Sequence, residues 1–429
     1  MKTQLVNLKG GARLLFNKQT EINGISVVFT FNAGAINDPK GKLGVAHFCE
    51  HALAGFENAK MTREERNLSF NNFQYFNAVT SKYNIQFMIR TTDDKLEEAF
   101  DFVTEPFVSV NLNKQTFEIE QNIIRDEICT RVKSNMNKVS EVFNTKILKD
   151  KKSNNYICGP AGSLETFNRI TIKDLRNHIK NYLTLNNLII TIVGNTSLKK
   201  VKKLVKKYVE SRIGVSDVNG YLGFNPDINS PSYFYVKAEE SEKALVEIDY
   251  YIEKLPFNYN VYREQFTSRF VNDIMNDLLF SFYRIKNKLT YGCSVFVGKV
   301  CDWISQEITI PCSEENLEKV INLFSDFIKS LPEDLPKDLF EKSRRKFFSS
   351  YNFDFMSLDE FGSACYRKYF YENKLYNSKT RKITRKTYES ITYEEANQLY
   401  KKLFSVKPHI IIVSNNEKFK DLKYKDFKL

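Results

Sequence analysis

Histidine is scarce in this chain, at 4 of 429 residues against 35 Phe and 23 Tyr. A site built on imidazole therefore has very few positions to draw on. The seven cysteines (Cys49, Cys129, Cys158, Cys293, Cys301, Cys312 and Cys365) are odd in number, widely spaced and never in C-x-x-C order. That pattern argues against a disulfide scaffold or a structural zinc ribbon, and reduced, mostly buried thiols are expected. No apolar run approaches the roughly 18 residues that a membrane helix needs, and residues 1–11 lack the apolar core and cleavage site of a secretory leader. The expectation is an unexported, cytoplasmic chain with no membrane partner.

What is present is core-forming material. Hydrophobic residues make up 42% and aromatics 14%, which rules out disorder, collagen and coiled coil. At about 100–200 residues per domain, the length suggests about two to four domains. The 64 Lys and Arg exceed the 52 Asp and Glu, for a net charge of +12. The excess is spread among Asn, Phe, Tyr and Ile along the whole chain and reads as composition. The densest runs, Lys199-Lys200-Val201-Lys202-Lys203 and Arg344-Arg345-Lys346, lie on helical patterns without interleaved aromatics. They read as solvated faces, and no nucleic-acid partner is expected.

Self-comparison divides the chain. Ile170-Thr171-Ile172-Lys173-Asp174-Leu175, leading to the β-branched run Leu188–Val193, returns as Ile391-Thr392-Tyr393-Glu394-Glu395-Ala396, leading to Ile410–Val413. Each copy has a Thr followed three residues later by an acid, the signature of a helix start. A second pair, Leu96-Glu97-Glu98-Ala99-Phe100 and Leu317-Glu318-Lys319-Val320-Ile321, is displaced by the same interval that separates Ile170 from Ile391. Two copies of one α+β domain follow: residues 1–215, a linker at 216–232 rich in Gly, Asn, Pro and Ser, and residues 233–429, with the boundary near 225. Alternation at Val27, Phe29, Phe31 and at Ile85, Phe87, Ile89 predicts strands around the first helix, hence a mostly antiparallel sheet packed by helices on one face.

Two of the four histidines fall in His47-Phe48-Cys49-Glu50-His51. On a helix, positions i and i+4 share a face one turn apart, where two imidazoles can bind one metal ion. Glu50 lies beside them, placed to hold a water rather than the metal. The alternative, a satisfied core histidine, has support from the apolar neighbours Leu43, Val45, Ala46 and Phe48, but it accounts for one imidazole and not for the pair. His178 and His409 have no acidic or histidine neighbours at ligand spacing and are assigned no role. A catalytic zinc normally takes a third protein ligand. The best source is the segment 116–128, where Phe117, Ile124 and Ile128 form an apolar stripe. Glu118 lies about 100° from Phe117, at the stripe's edge. From the pattern alone, Glu118 and Glu120 remain equivalent choices.

H-x-x-E-H is an inverted zinc-peptidase motif. With Gly34, the run Gly44–His51, Asn77-Ala78-Val79-Thr80 and Glu118-x-Glu120-x-x-Ile123-Ile124-x-x-Glu127-Ile128, the chain resembles the pitrilysin and insulinase family, which includes mitochondrial processing peptidase subunits. The resemblance implies an α+β fold of two homologous domains forming half of a clamshell. It implies one Zn²⁺ per chain, held by His47, His51 and Glu118, with Glu50 as general base. The interval from His51 to Glu118 is shorter than the family commonly shows. The position seven residues before Glu118, where some members carry a second glutamate, is Asn111. In the second copy, Ser268 and Asn272 replace the histidines. Arg284 and Tyr291, seven apart, resemble a family pair that binds substrate and steadies the oxyanion, while Asn77 and Ala78 resemble its substrate-binding strand. The implied activity is that of a zinc metalloendopeptidase acting on peptides or a small precursor in an enclosed chamber. The implied assembly is a homodimer, or a heterodimer with a sister subunit. The alternative is a catalytically inactive structural or partner-binding subunit of the same fold.

Overall fold

The computed structural model describes residues 2–149, 159–220, 227–238, 243–255, 262–300, 303–350 and 357–427. Cys158, Cys301 and the boundary expected near 225 lie outside them. Of the other cysteines, all free, Cys49, Cys312 and Cys365 are buried, Cys293 is half-buried and Cys129 is exposed.

The first sheet comprises β1 (Gln4–Asn7), β2 (Arg13–Lys18), β3 (Ile25–Phe31), β4 (Tyr75–Thr80), β5 (Ile85–Thr91) and β6 (Leu188–Gly194), in the order β1-β2-β6-β3-β5-β4. Only β2 and β6 are parallel. The second sheet comprises β7 (Tyr233–Lys237), β8 (Ala244–Lys254), β9 (Ser294–Val300), β10 (Trp303–Cys312) and β11 (His409–Ser414), in the order β7-β11-β8-β10-β9, with β7 and β11 parallel. The second order repeats the first without β1, as duplication of one domain requires. Both expected helix starts are capping boxes: the Thr171 hydroxyl accepts from the Asp174 amide, and that of Thr392 from Glu395.

Helices of the first half include α1 (Val45–Gly55), α2 (Arg63–Leu68), α3 (Leu96–Thr104), α4 (Pro106–Ser109), α5 (Lys114–Lys133), α6 (Asn135–Val142), α7 (Leu164–Phe167) and α8 (Ile172–Tyr182). One face of the first sheet carries Leu14, Phe16, Val27 and Phe29 into a core shared with α1, α3 and α5. The chain forms two compact units, which are not continuous blocks. One gathers Met1–Cys129, Lys151–Gly223 and Asp354–Arg381, and the other Thr130–Asp150, Phe224–Phe353 and Lys382–Leu429.

This corrects the division at 215 and 233, and also the expectation of helices on one face only. In the first unit, Phe361, Cys365 and Tyr366 of the helix Leu358–Glu372 cover Leu15, Ile189 and Val193 on the opposite sheet face. In the second, Val139 and Val142 of α6 and Ile147 cover Leu245, Tyr251, Ile411 and Val413. Each sheet buries apolar side chains on both faces, mixed on the second face with buried polar ones such as Thr191 and Asp249, and so needs a second layer, which a segment distant in sequence supplies.

Candidate metal centre

α1 carries both histidines of the motif, and its two ends are anchored by the buried ionisable side chains of Asp38 and Arg66. At its start Gly44 takes φ +104°, a left-handed conformation, and a Cβ there would lie 2.5 Å from the Ala161 carbonyl oxygen. The Asp38 carboxylate accepts from the Gly44 and Ala46 amides, each at 2.7 Å, and ties down otherwise unpaired helix donors. Burial pushes the Asp38 carboxyl up to about 8, although these amides pull it down. At the far end Arg66 is 1% exposed and donates to the Leu53, Ala54 and Phe102 carbonyls, closing the last turns of α1 and α3. Phe48 stacks on Phe117 with ring centroids 4.7 Å apart, fixing α5 against α1.

On this frame the His47 and His51 rings sit edge to face, with centroids 4.6 Å apart. Glu127 of α5 completes the cluster. Its Oε2 lies 3.7 Å from His47 Nε2 and 3.7 Å from His51 Nε2, and ligand atoms of the three residues all lie within 4.8 Å of one another. Glu118 is not brought there: its side chain is 58% exposed and lies 3.8 Å from Lys114. The expectation of Glu118 as third ligand is therefore corrected to Glu127. The physical reason is the seating of α5, whose buried stripe of Phe117, Ile124 and Ile128 turns Glu120 and Glu127 towards α1 and Glu118 to solvent.

Both departures from the family pattern were counted from Glu118, and Glu127 changes the count. Glu127 stands further along the chain from His51, which lengthens that interval. Two helical turns before it stands Glu120, so Asn111 is no departure; it donates to Glu57 at the protein surface. The spacing of Glu120 and Glu127, close to two full turns, puts both carboxylates on one face of α5, and this shared face is the signal that the sequence holds.

Glu120 is 6% exposed, and its Oε1 accepts from His51 Nδ1 at 2.8 Å. This holds His51 in the tautomer that leaves Nε2 for a metal. Burial lowers the His51 pKa, but the Glu120 hydrogen bond and the charges of Glu50, Glu120 and Glu127 outweigh it, and the net shift is upward. The pocket is thus rich in negative charge and suited to a cation. Glu50 is 7% exposed, and its Oε2 accepts from the Thr80 hydroxyl at 3.0 Å. Thr80 and Glu127 have no site role in the sequence pattern, and Glu120, an equal choice there with Glu118, contacts His51 and not the shared ligand position. Asn77 and Ala78 lie on β4, at the edge of the first sheet.

In the second unit the Arg284 guanidinium stacks on the Tyr291 ring at 4.2 Å, and Tyr291 is 82% exposed. Ser268 and Asn272 lie on the helix Tyr262–Phe280, and Asn272 Oδ1 accepts from the Val297 amide. His178 and His409 are buried and are not members of the cluster, and burial lowers their pKa values to about 3 and about 4.

Residues 15–161 match the insulinase model of peptidase family M16, and residues 169–347 match the model described as the peptidase M16 inactive domain. The chain belongs to the pitrilysin/insulinase family. The M16 model that matches around His47, His51 and Glu127 is the insulinase one, and the inactive-domain model spans Ser268 and Asn272. Zinc protease PqqE of Helicobacter pylori is 26% identical over 223 residues, 49% of this chain and 47% of that protein. The chain thus spans about half of that relative's length. An uncharacterized zinc protease of Rickettsia bellii is 22% identical over 350 residues, 80% of this chain and 81% of that one. The fold is shared with the crystal structure of a peptidase M16 inactive domain from Pseudomonas fluorescens: TM-score 0.79 and 16% identity, over 97% of this chain and 99% of that one.

The cluster fits zinc. Two imidazole nitrogens and a carboxylate oxygen are an established zinc donor set, and bonds of about 2.0–2.2 Å in a tetrahedron separate ligand atoms by roughly 3.3–3.5 Å. The observed 3.7 Å needs only a small contraction.

Proposed function

We propose that this M16 family member is a zinc metalloendopeptidase, with His47, His51 and Glu127 holding one Zn²⁺ and Glu50 as general base. The observation that carries it is the convergence of these three side chains within 4.8 Å, beside a buried Glu50 on the same helix as the histidines. Zinc bound there supplies a Lewis acid that polarises a peptide carbonyl and acidifies water.

The protein's own groups do the rest. Glu50, held by Thr80, takes the proton of the attacking water and delivers it to the leaving amine. Asn77 and Ala78 offer the β4 edge to an extended peptide, which pairs by main-chain hydrogen bonds. Arg284 and Tyr291 bind the substrate and donate to the carbonyl oxygen as charge develops. The chain works as a homodimer or with a sister subunit, in the cytoplasm.

Glu50→Gln should retain stoichiometric zinc and lose hydrolysis of a mixed peptide library, read by mass spectrometry with a chelator control. Cleavage at the wild-type rate sinks the assignment. Sedimentation that finds a fully active monomer removes the paired assembly. The second reading, a non-catalytic subunit, has in its favour the fold shared with a structure described as an inactive domain. Purified protein without zinc would select that reading.

A further inference from the structure

Arg63 stands at the outer end of a chain of polar contacts that finishes on a candidate metal ligand. α2 begins with a capping box in which the Thr62 hydroxyl accepts from the Glu65 amide at 3.2 Å, placing Arg63 at the first helical position. Arg63 Nη2 donates to Glu120 Oε2 at 2.5 Å, while Glu120 Oε1 accepts from His51 Nδ1 at 2.8 Å. The Glu120 side chain is 8% exposed and that of Arg63 28%, so the pair is largely withdrawn from water. Each carboxylate oxygen has its own partner, and the two contacts together fix the plane of the group. A guanidinium does this directionally, as a point-like ammonium does not. Without Arg63, Glu120 is left with its imidazole contact alone, and a buried carboxylate that loses its cation rearranges or draws in water.

We propose that Arg63 is a positioning residue of the metal centre: it fixes the Glu120 carboxylate so that His51 is held with Nε2 turned towards the zinc. This rests on the zinc reading above. Arg63 lies on α2, beyond the inverted motif of α1, and nothing in its local sequence marks it.

The test measures zinc dissociation constants by competition with a chromophoric chelator. It uses the full chain as wild type, Arg63→Met, Arg63→Lys, Glu120→Gln and the Arg63→Met/Glu120→Gln double variant. Arg63→Met should weaken zinc about 10–100-fold, the range for loss of a partner that orients a ligand. Arg63→Lys should recover part of the loss. In the Glu120→Gln background, Arg63→Met should change affinity by no more than about twofold, because the two act through one contact. Wild-type affinity in Arg63→Met overturns the proposal, as does an equal loss in the Glu120→Gln background. Should Arg63→Met fail to fold, Arg63→Lys decides: an affinity equal to that of the wild type overturns the proposal. If the wild-type chain takes up no zinc, the function reading falls and this proposal with it.

Discussion

Replacing Glu127 by Gln and, separately, Glu118 by Gln discriminates between the two carboxylates of α5. Glu127 Oε2 lies 3.7 Å from both imidazole Nε2 atoms, and Glu127→Gln removes the one negative charge that α5 brings within bonding reach of the ion. Loss of a group that merely orients a ligand costs about 10–100-fold in metal affinity, so loss of a ligand should cost at least about 100-fold, or about 2.8 kcal/mol. Glu118 is 58% exposed, and its partner Lys114, one helical turn away, lies at 3.8 Å. Such a pair contributes about 0.3–0.5 kcal/mol, so Glu118→Gln should lower Tm by no more than about 2 °C and leave zinc in place. The assay is zinc content by plasma mass spectrometry after dialysis against a weak chelator, with peptide hydrolysis in parallel. If Glu118→Gln strips the zinc while Glu127→Gln keeps it, the placement of α5 is wrong and so is every conclusion drawn from it.

Other substitutions address the supports of the site. Thr80→Val keeps the shape of the side chain but removes the hydrogen bond to Glu50 Oε2. A bond to a charged group is worth about 1.5–3 kcal/mol, so kcat should fall about 10–100-fold with KM little changed, and Thr80→Ser should restore most of it; a normal kcat for Thr80→Val refutes the role. Arg66→Met leaves the Leu53, Ala54 and Phe102 carbonyls without their buried donor, at about 1–3 kcal/mol each before relaxation, and a melting curve unchanged from wild type contradicts this capping. In the second sheet, Asp249 sits opposite Glu307 on β10 and His409 on β11, with Glu247 next along the same strand face. Burial raises all three carboxyls, Glu307 to about 7, and their mutual charges add to the rise for Glu247 and Asp249. Folded pKa values above the unfolded ones mean stability that is full below about pH 4 and is lost as pH climbs through 7 and beyond. Tm should therefore fall from pH 6 to pH 9, and fall less in Glu247→Gln; identical slopes would refute the link.

Much of this protein is written locally in its sequence. His47, Glu50 and His51 needed only the helical period to share one face, and Thr171 with Asp174 and Thr392 with Glu395 needed only their three-residue spacing to start helices. The internal repeat carried the shared strand order of two sheets, because each copy holds the same succession of short-range patterns. The third acid was different. Periodicity shows that Glu120 and Glu127 share a face of α5, but which carboxylate meets the histidines depends on how Phe117, Ile124 and Ile128 seat and on the stacking of Phe117 upon Phe48. The same holds for the contacts of Thr80 with Glu50 and Arg63 with Glu120, and for the distant helices that cover the second face of each sheet. Each is a meeting between elements far apart in the chain, where side-chain volume and burial choose among partners that the one-dimensional pattern leaves equal. The sequence by itself determined that this chain holds a paired-histidine site on a duplicated fold; only tertiary packing decided which acid completes the site and which side chains hold it in place.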